Sequence, residues 1–257
     1  MLWILEHIDR LDPEAVLRFL PTISEARRAR VLSMTHVPSR VRSVLAELLL
    51  RRALREEYGL TDLPRLDTGE KGKPFFPDRP DLQFSLSHCR TAAACALAHA
   101  PVGVDVQEVR YLKAFPVRGR WHRASPASPM TDEVVPQARE TPPVYRILSE
   151  QERAWVEAGE TPAERDRRFT AVWTCKEAYG KALGVGFLYD LRSTCFVPDK
   201  ETWRQYDTSF LRLSREAYEL TLCAASALSI QTLTPSDFMD AAERLRMDGP
   251  LTQYEEY

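Results

Sequence analysis

Apolar residues recur along this chain with two periods, and each period predicts a different kind of element. Short runs, partly alternating with polar positions, read as strands: the opening MLWILEHIDR, then residues 82–87, 92–98, 102–106, 193–197 and 218–225. Longer stretches repeat every three to four residues. Ser24 is placed to cap a short helix with Arg27 and Arg30 on one face. Over residues 39–58, Val41, Val44, Leu45 and Leu48 form the buried stripe of a longer helix, which Gly59 stops. Thr161-Pro162-Ala163-Glu164 has the form of a capping box with proline at the first helical position, and opens a second long helix that ends near Gly184. Pro235-Ser236 opens a terminal helix. Helices and strands are interspersed and no internal sequence repeat is visible, so an α+β fold is expected.

Both periods break down over residues 114–145. This stretch is rich in proline, serine and arginine, includes SPASP and TPP, and is expected to be an exposed loop. The 257 residues, 44% hydrophobic, suffice for one large domain or two packed halves. The net charge of -2 excludes a generic nucleic-acid binder, but the charge is uneven. Residues 26–55 hold eight arginines and one acid, Glu47, whereas the tail from Asp237 onward is acidic. A basic segment of this kind can meet an anion. No apolar run approaches the roughly 20 residues of a membrane span. The N-terminus lacks the basic start and small-residue cleavage site of a signal peptide, so a cytoplasmic protein is expected. Five cysteines with no CxxC pair read as reduced thiols rather than a disulfide frame or zinc site.

The chemistry concentrates in WTCKEAYGKALGVGF, residues 173–187. On a helix, Trp173, Lys176, Glu177, Gly180, Lys181 and Gly184 fall along one stripe. A carboxylate and two lysines would then face one space, with glycines admitting a ligand close to the backbone. A surface Glu177–Lys181 pair, worth about 0.3–0.5 kcal/mol, has the same spacing. In PVGVDVQ, residues 101–107, an aspartate stands inside an apolar strand, where burial without a partner is costly. Alternation sets Gly103, Asp105 and Gln107 on one face and Val104 and Val106 on the other. Asp105 and Gln107 can both offer oxygens to one cation, and Mg²⁺ commonly takes one or two carboxylates plus phosphate oxygens. A strand-end aspartate capping a turn looks the same. Gly72-Lys73-Pro74 is a rigid turn presenting one lysine. FSLSHC, residues 84–89, ends a strand with Ser87 and His88, and no GxSxG elbow surrounds them to indicate a hydrolase. Arg27, Arg30 and Arg42 fit either an anion site or a solvated face.

In this order, the basic helix, GKP, the strand ending in Ser-His, GVDV and WTCKEAYGKALGVGF resemble the 4'-phosphopantetheinyl transferase superfamily over residues 23–187, and the length matches its Sfp-type branch. The resemblance implies an α+β fold of two similar halves, a pseudo-dimer within one chain. Residues 1–101 would carry the basic coenzyme-binding residues, 102–235 the metal and catalytic residues, and 236–257 a helix and acidic tail. It implies Asp105 and Glu177 as Mg²⁺ ligands, joined by Gln107 where the family often has glutamate. Arg27 and Arg30 would lie near the coenzyme A adenosine and its 3'-phosphate, and Arg42 and Ser43 along the nucleotide. Lys73, Ser87, His88 and Lys176 are further coenzyme-binding positions, and Asp105, Glu177 and Lys181 form the catalytic group. ILSEQE, residues 147–152, resembles the family segment preceding the long helix and is itself a capping box. The implied reaction is Mg²⁺-dependent transfer of phosphopantetheine from coenzyme A to a serine of an acyl, polyketide or peptidyl carrier protein, releasing 3',5'-ADP. The enzyme would act as a monomer, with no nucleic-acid or membrane partner. A non-catalytic coenzyme A or nucleotide-binding module would keep the basic residues and lose the metal. Gln107 fits that alternative; Asp105, Glu177 and Lys181 fit the enzyme.

Overall fold

The structure is a computed structural model that describes residues 1–109, 147–186 and 190–248. The expected loop at 114–145 lies outside the described residues. In chain order the elements are β1 (Leu2–Glu6), α1 (Pro13–Leu17), α2 (Glu25–Ser33), α3 (Val37–Tyr58), β2 (Asp67–Thr68), β3 (Pro74–Phe75), β4 (Gln83–His88), β5 (Ala92–Ala98) and β6 (Val102–Glu108). Then come α4 (Glu150–Glu157), α5 (Pro162–Leu183), β7 (Thr202–Gln205), β8 (Thr208–Ser214), β9 (Tyr218–Ala224), β10 (Ile230–Leu233) and α6 (Pro235–Asp248). The fold mixes helices and sheets, as the interspersed periods predict.

Two four-stranded sheets organise these elements. Their strand orders are β10-β1-β5-β4 and β6-β9-β8-β7. One face of each meets the other in a shared apolar layer, with Leu2, Ile4, Ala92, Ala94 and Ala96 against Val102, Val104, Val106, Leu220 and Leu222. The short alanines of β5 let the two layers approach closely. On its other face the first sheet presents Trp3, Leu5, Cys95 and Leu97 to Val44, Leu45, Leu48 and Leu49 of α3. The second sheet presents Phe210 and Cys223 to Cys175, Ala178 and Ala182 of α5. The chain then returns: β10 pairs in parallel with β1, and Phe238 and Ala242 of α6 join the first core. β10, which falls within the expected segment 102–235, thus adds to the first sheet.

Both long helices stop where expected. Gly59 and Gly184 occupy left-handed C-caps with φ of 67° and 70°, a conformation glycine adopts without Cβ strain. Their starts differ in detail from expectation. The Thr161 hydroxyl accepts from the Glu164 amide at 3.1 Å, but the Glu164 carboxylate accepts from the Glu160 amide, so the box is not reciprocal. The reciprocal box is at α4, where Ser149 and Glu152 satisfy each other's backbone N–H groups. Ser24 stands at the N-cap of α2, but its hydroxyl donates to Glu47 at 2.7 Å instead of capping.

Residues 193–197, expected as a strand, form none. Side chains take the backbone groups a ladder would use: Glu152 accepts from the Phe196 amide, Tyr206 from the Cys195 amide, and Lys176 donates to the Thr194 carbonyl. The β7–β8 hairpin was not legible beforehand. Its two-residue turn, Tyr206-Asp207, has both φ values positive without a glycine or asparagine to announce it.

Gly103 in β6 is fixed by packing. A Cβ there would lie 1.9 Å from the Ala178 carbonyl oxygen and 2.5 Å from the Ala182 nitrogen, both helix backbone atoms. Gly103→Ala is expected to lose about 3 kcal/mol through overpacking at a rigid contact. Denaturant unfolding checks this, and a loss below about 0.5 kcal/mol would contradict the close packing.

Candidate active site

β4 and β6 are edge strands of different sheets, and they face each other. Exposed strand edges leave backbone groups needing partners. Here side chains supply them. The Val104 amide donates to the Ser85 hydroxyl at 3.0 Å, and the Val106 amide to the Ser87 hydroxyl at 3.2 Å. The Lys73 amine donates to the Val102 carbonyl at 3.2 Å and to the Ala182 carbonyl, and the Lys181 amine to the Val104 carbonyl at 3.0 Å. A serine–lysine seam thus replaces a backbone ladder between the two sheets.

Asp105 sits in this seam and is 1% exposed. Its Oδ1 accepts from the Ser87 hydroxyl at 2.8 Å and from the Lys181 amine at 2.7 Å. Its Oδ2 is buried and has no hydrogen-bond partner among the described residues. Leaving a buried carboxylate oxygen unpaired is costly, so this atom marks a place for a cation or donor. Gln107 lies two residues on, half-buried and on the same face of β6. Glu177, also half-buried, lies one helical turn before Lys181 on α5. These are hard oxygen donors suited to Mg²⁺. Among the described residues no three His, Cys, Asp or Glu side chains gather as a ready metal cluster. A cation at Asp105 would therefore need further oxygens from phosphate or water.

Positive charge converges beside the carboxylate. His88 follows Ser87 at the end of β4, and its pKa is pushed down to about 4 by desolvation, then by the charges of Arg42, Lys181 and Arg27. The charges of Arg42, Lys181 and Arg27 act on His88, which itself is exposed at the end of β4. Arg42 and Ser43 are buried on α3, with Arg42 donating to Ser39 at 3.1 Å. Arg27 is half-buried on α2, and burial lowers its pKa. Arg30 is exposed on the same helix, one turn on.

The structure thus brings Asp105, Ser87, His88, Lys181, Arg27 and Arg42 into one neighbourhood. Two expected positions serve differently. Lys73 spans β6 and the end of α5, and burial lowers its pKa. Lys176 turns away from the site: it is 1% exposed and pairs with the wholly buried Glu152 at 2.9 Å. Lys176 and Glu177 lie at opposite edges of the stripe, about 100° apart around the helix, and the Lys176 edge packs against Glu152 and the segment after α5. Sequence reasoning missed Ser85, whose signal was its two-residue spacing from Ser87. It also missed the burial of Glu47, noted only as the one acid among eight arginines.

A profile of the 4'-phosphopantetheinyl transferase superfamily matches residues 132–226. That range includes Lys176, Glu177 and Lys181 and stops short of Asp105. Over 107 residues the chain is 33% identical to 4'-phosphopantetheinyl transferase Sfp of Bacillus subtilis (strain 168), covering 40% of this chain and 47% of that protein. It is 31% identical over 183 residues to 4'-phosphopantetheinyl transferase pptA of Paxillus involutus, covering 67% and 64%. It is 26% identical over 242 residues to 4'-phosphopantetheinyl transferase psf-1 of Bacillus pumilus, covering 88% and 90%. The alignment thus spans about half the length of Sfp and nine tenths of psf-1. The chain is thus similar to the 4'-phosphopantetheinyl transferase superfamily over residues 132–226 and to relatives that carry that name along most of its length.

Proposed function

We propose that this chain transfers the 4'-phosphopantetheine group of coenzyme A to a serine of an acyl, polyketide or peptidyl carrier protein, releasing 3',5'-ADP. The observation that carries the reading is Asp105: a buried carboxylate with one oxygen held by Ser87 and Lys181, the other unpartnered, beside Arg27, Arg42 and His88. A structural aspartate would have both oxygens satisfied. A neighbouring basic cluster suits the phosphates of a polyanionic substrate.

The reaction needs positioning and charge neutralisation more than a strong base. Arg27 and Arg30 would hold the 3'-phosphate, and Arg42, Ser43 and His88 the nucleotide. Lys181 would neutralise the oxygens of the reacting β-phosphate, within reach of Asp105. Asp105, Glu177 and Gln107 would hold Mg²⁺, which would supply Lewis-acid polarisation of the pyrophosphate. Glu177, directly or through a water it holds, would accept the serine proton. Lys73 would support the site by tying β6 to α5, and Lys176 by anchoring the segment after α5 to α4.

A pseudo-dimer of two halves is part of this proposal. Two features support it. Each sheet holds three antiparallel strands of like order, β1-β5-β4 and β6-β9-β8. Between the first strand and the hairpin lie short helices, two in the first half and one in the second, followed by a 22-residue helix. The reactive groups would occupy the seam between halves. No described helix is long and apolar enough to cross a membrane, and we place the enzyme in the cytoplasm as a monomer.

Release of 3',5'-ADP from coenzyme A, followed chromatographically, tests the reading. Release should require the enzyme, Mg²⁺ and an apo carrier together. Release without any carrier would instead indicate hydrolysis.

A further inference from the structure

We propose that Glu47 is a positioning residue that aims Arg27 at a terminal phosphate monoester of the bound substrate. This rests on the coenzyme A reading above. Glu47 lies on α3, is 0% exposed, and is the single acid among the eight arginines of residues 26–55. A buried carboxylate persists only where it is paired and hydrogen-bonded. Glu47 meets that requirement across two helices. Its Oε1 accepts from the Ser24 backbone amide at 2.6 Å and from Arg51 at 3.1 Å. Its Oε2 accepts from the Ser24 hydroxyl at 2.7 Å and lies 3.6 Å from Arg27 Nε.

These contacts explain why Ser24 does not cap its own helix. Glu47 captures both Ser24 groups and so pins the start of α2 against α3. Arg27 lies one turn into α2, and its Nε faces Glu47. A guanidinium that meets a carboxylate on its Nε side, here at ion-pair distance, keeps its fork of terminal N–H donors for another anion. Arg51, one turn along α3 from Glu47, balances the remaining carboxylate charge from within α3. The arrangement fixes the direction of Arg27 with a group that does not itself face the substrate.

A merely structural Glu47 would affect all ligands alike. A positioning Glu47 affects the ligand whose terminal phosphate Arg27 reads. Calorimetry on the full chain with coenzyme A and with dephospho-coenzyme A separates the two. Glu47→Gln should weaken coenzyme A about tenfold and dephospho-coenzyme A by less than about twofold, the scale of one charge-assisted contact. In the transfer assay the KM for coenzyme A should rise more than kcat falls. Arg27→Ala should produce the same selective loss, and the double variant should be no weaker than Arg27→Ala, because both changes remove one function. Ser24→Ala keeps the carboxylate and removes one hydrogen bond, so it should show the same selectivity at smaller size even if Glu47→Gln fails to fold.

Two outcomes overturn the proposal and are distinguishable. If Arg27→Ala changes the ratio of the two affinities but Glu47→Gln and Ser24→Ala do not, Glu47 is only structural and the phosphate reading stands. If Arg27→Ala itself weakens both ligands equally, the phosphate reading of Arg27 fails, and the role of Glu47 with it.

Discussion

Lys181→Ala is expected to slow phosphopantetheine transfer about a hundred- to a thousandfold, the usual effect of removing one charge aimed at a reacting phosphate or oxyanion. Lys181 is not an ordinary exposed lysine. Its side chain is 28% exposed, but its amine lies 2.7 Å from the buried Asp105 and donates to the Val104 carbonyl at the open edge of β6. Truncation therefore removes the cationic partner of a buried carboxylate. The stability cost should be about 1–3 kcal/mol, larger than for a surface lysine. Mg²⁺ should recover part of it, since a second cation can replace the first beside Asp105. Thermal unfolding should then show a larger Mg²⁺-dependent rise in Tm for Lys181→Ala than for the parent protein. A folded Lys181→Ala variant with near-normal transfer would remove this residue from the mechanism.

The second large effect concerns Asp105 and Gln107, which should respond in opposite directions. Asp105→Asn removes one of the two carboxylates proposed to hold the cation and should lower turnover about a thousandfold at any Mg²⁺ concentration. Gln107→Glu adds a third carboxylate on the same face of β6. It should tighten Mg²⁺ binding to the free protein about tenfold, as one added charge at close range would. With coenzyme A present the gain should shrink, because the pyrophosphate then supplies negative charge. Calorimetric Mg²⁺ titrations of the three proteins, with and without coenzyme A, check both halves. An unchanged affinity for Gln107→Glu in both conditions would mean that Gln107 does not face the cation.

Much of the scaffold was legible because local rules decided it. The left-handed glycines at 59 and 184, the apolar run of β5 and the alternation around Asp105 each follow from the residues alone. What escaped were features set by partners distant in sequence. Ser24 has an ordinary capping sequence but is captured by Glu47, 23 residues away. Residues 193–197 look like a strand but are held by Glu152, Lys176 and Tyr206. Lys176 has the composition of a site residue, yet the helical turn carries it into a buried ion pair. The seam of Ser85, Ser87, Lys73 and Lys181 was invisible because hydroxyls and amines there do the work of a backbone ladder, and no sequence period marks such pairing. The paired carboxylate and lysine were found as motifs; their 2.7 Å contact required the fold.

The mass of a carrier protein tests the central claim most directly. Apo carriers of the fatty-acid, polyketide and peptide-synthetase classes would each be incubated with the enzyme, coenzyme A and Mg²⁺, then weighed intact. At least one should gain a single phosphopantetheine on its serine. The gain should vanish without Mg²⁺, with a carrier Ser→Ala variant, and with Asp105→Asn. A protein that binds coenzyme A in calorimetry but leaves the mass of every carrier unchanged would be a binding module, and the catalytic account would be wrong.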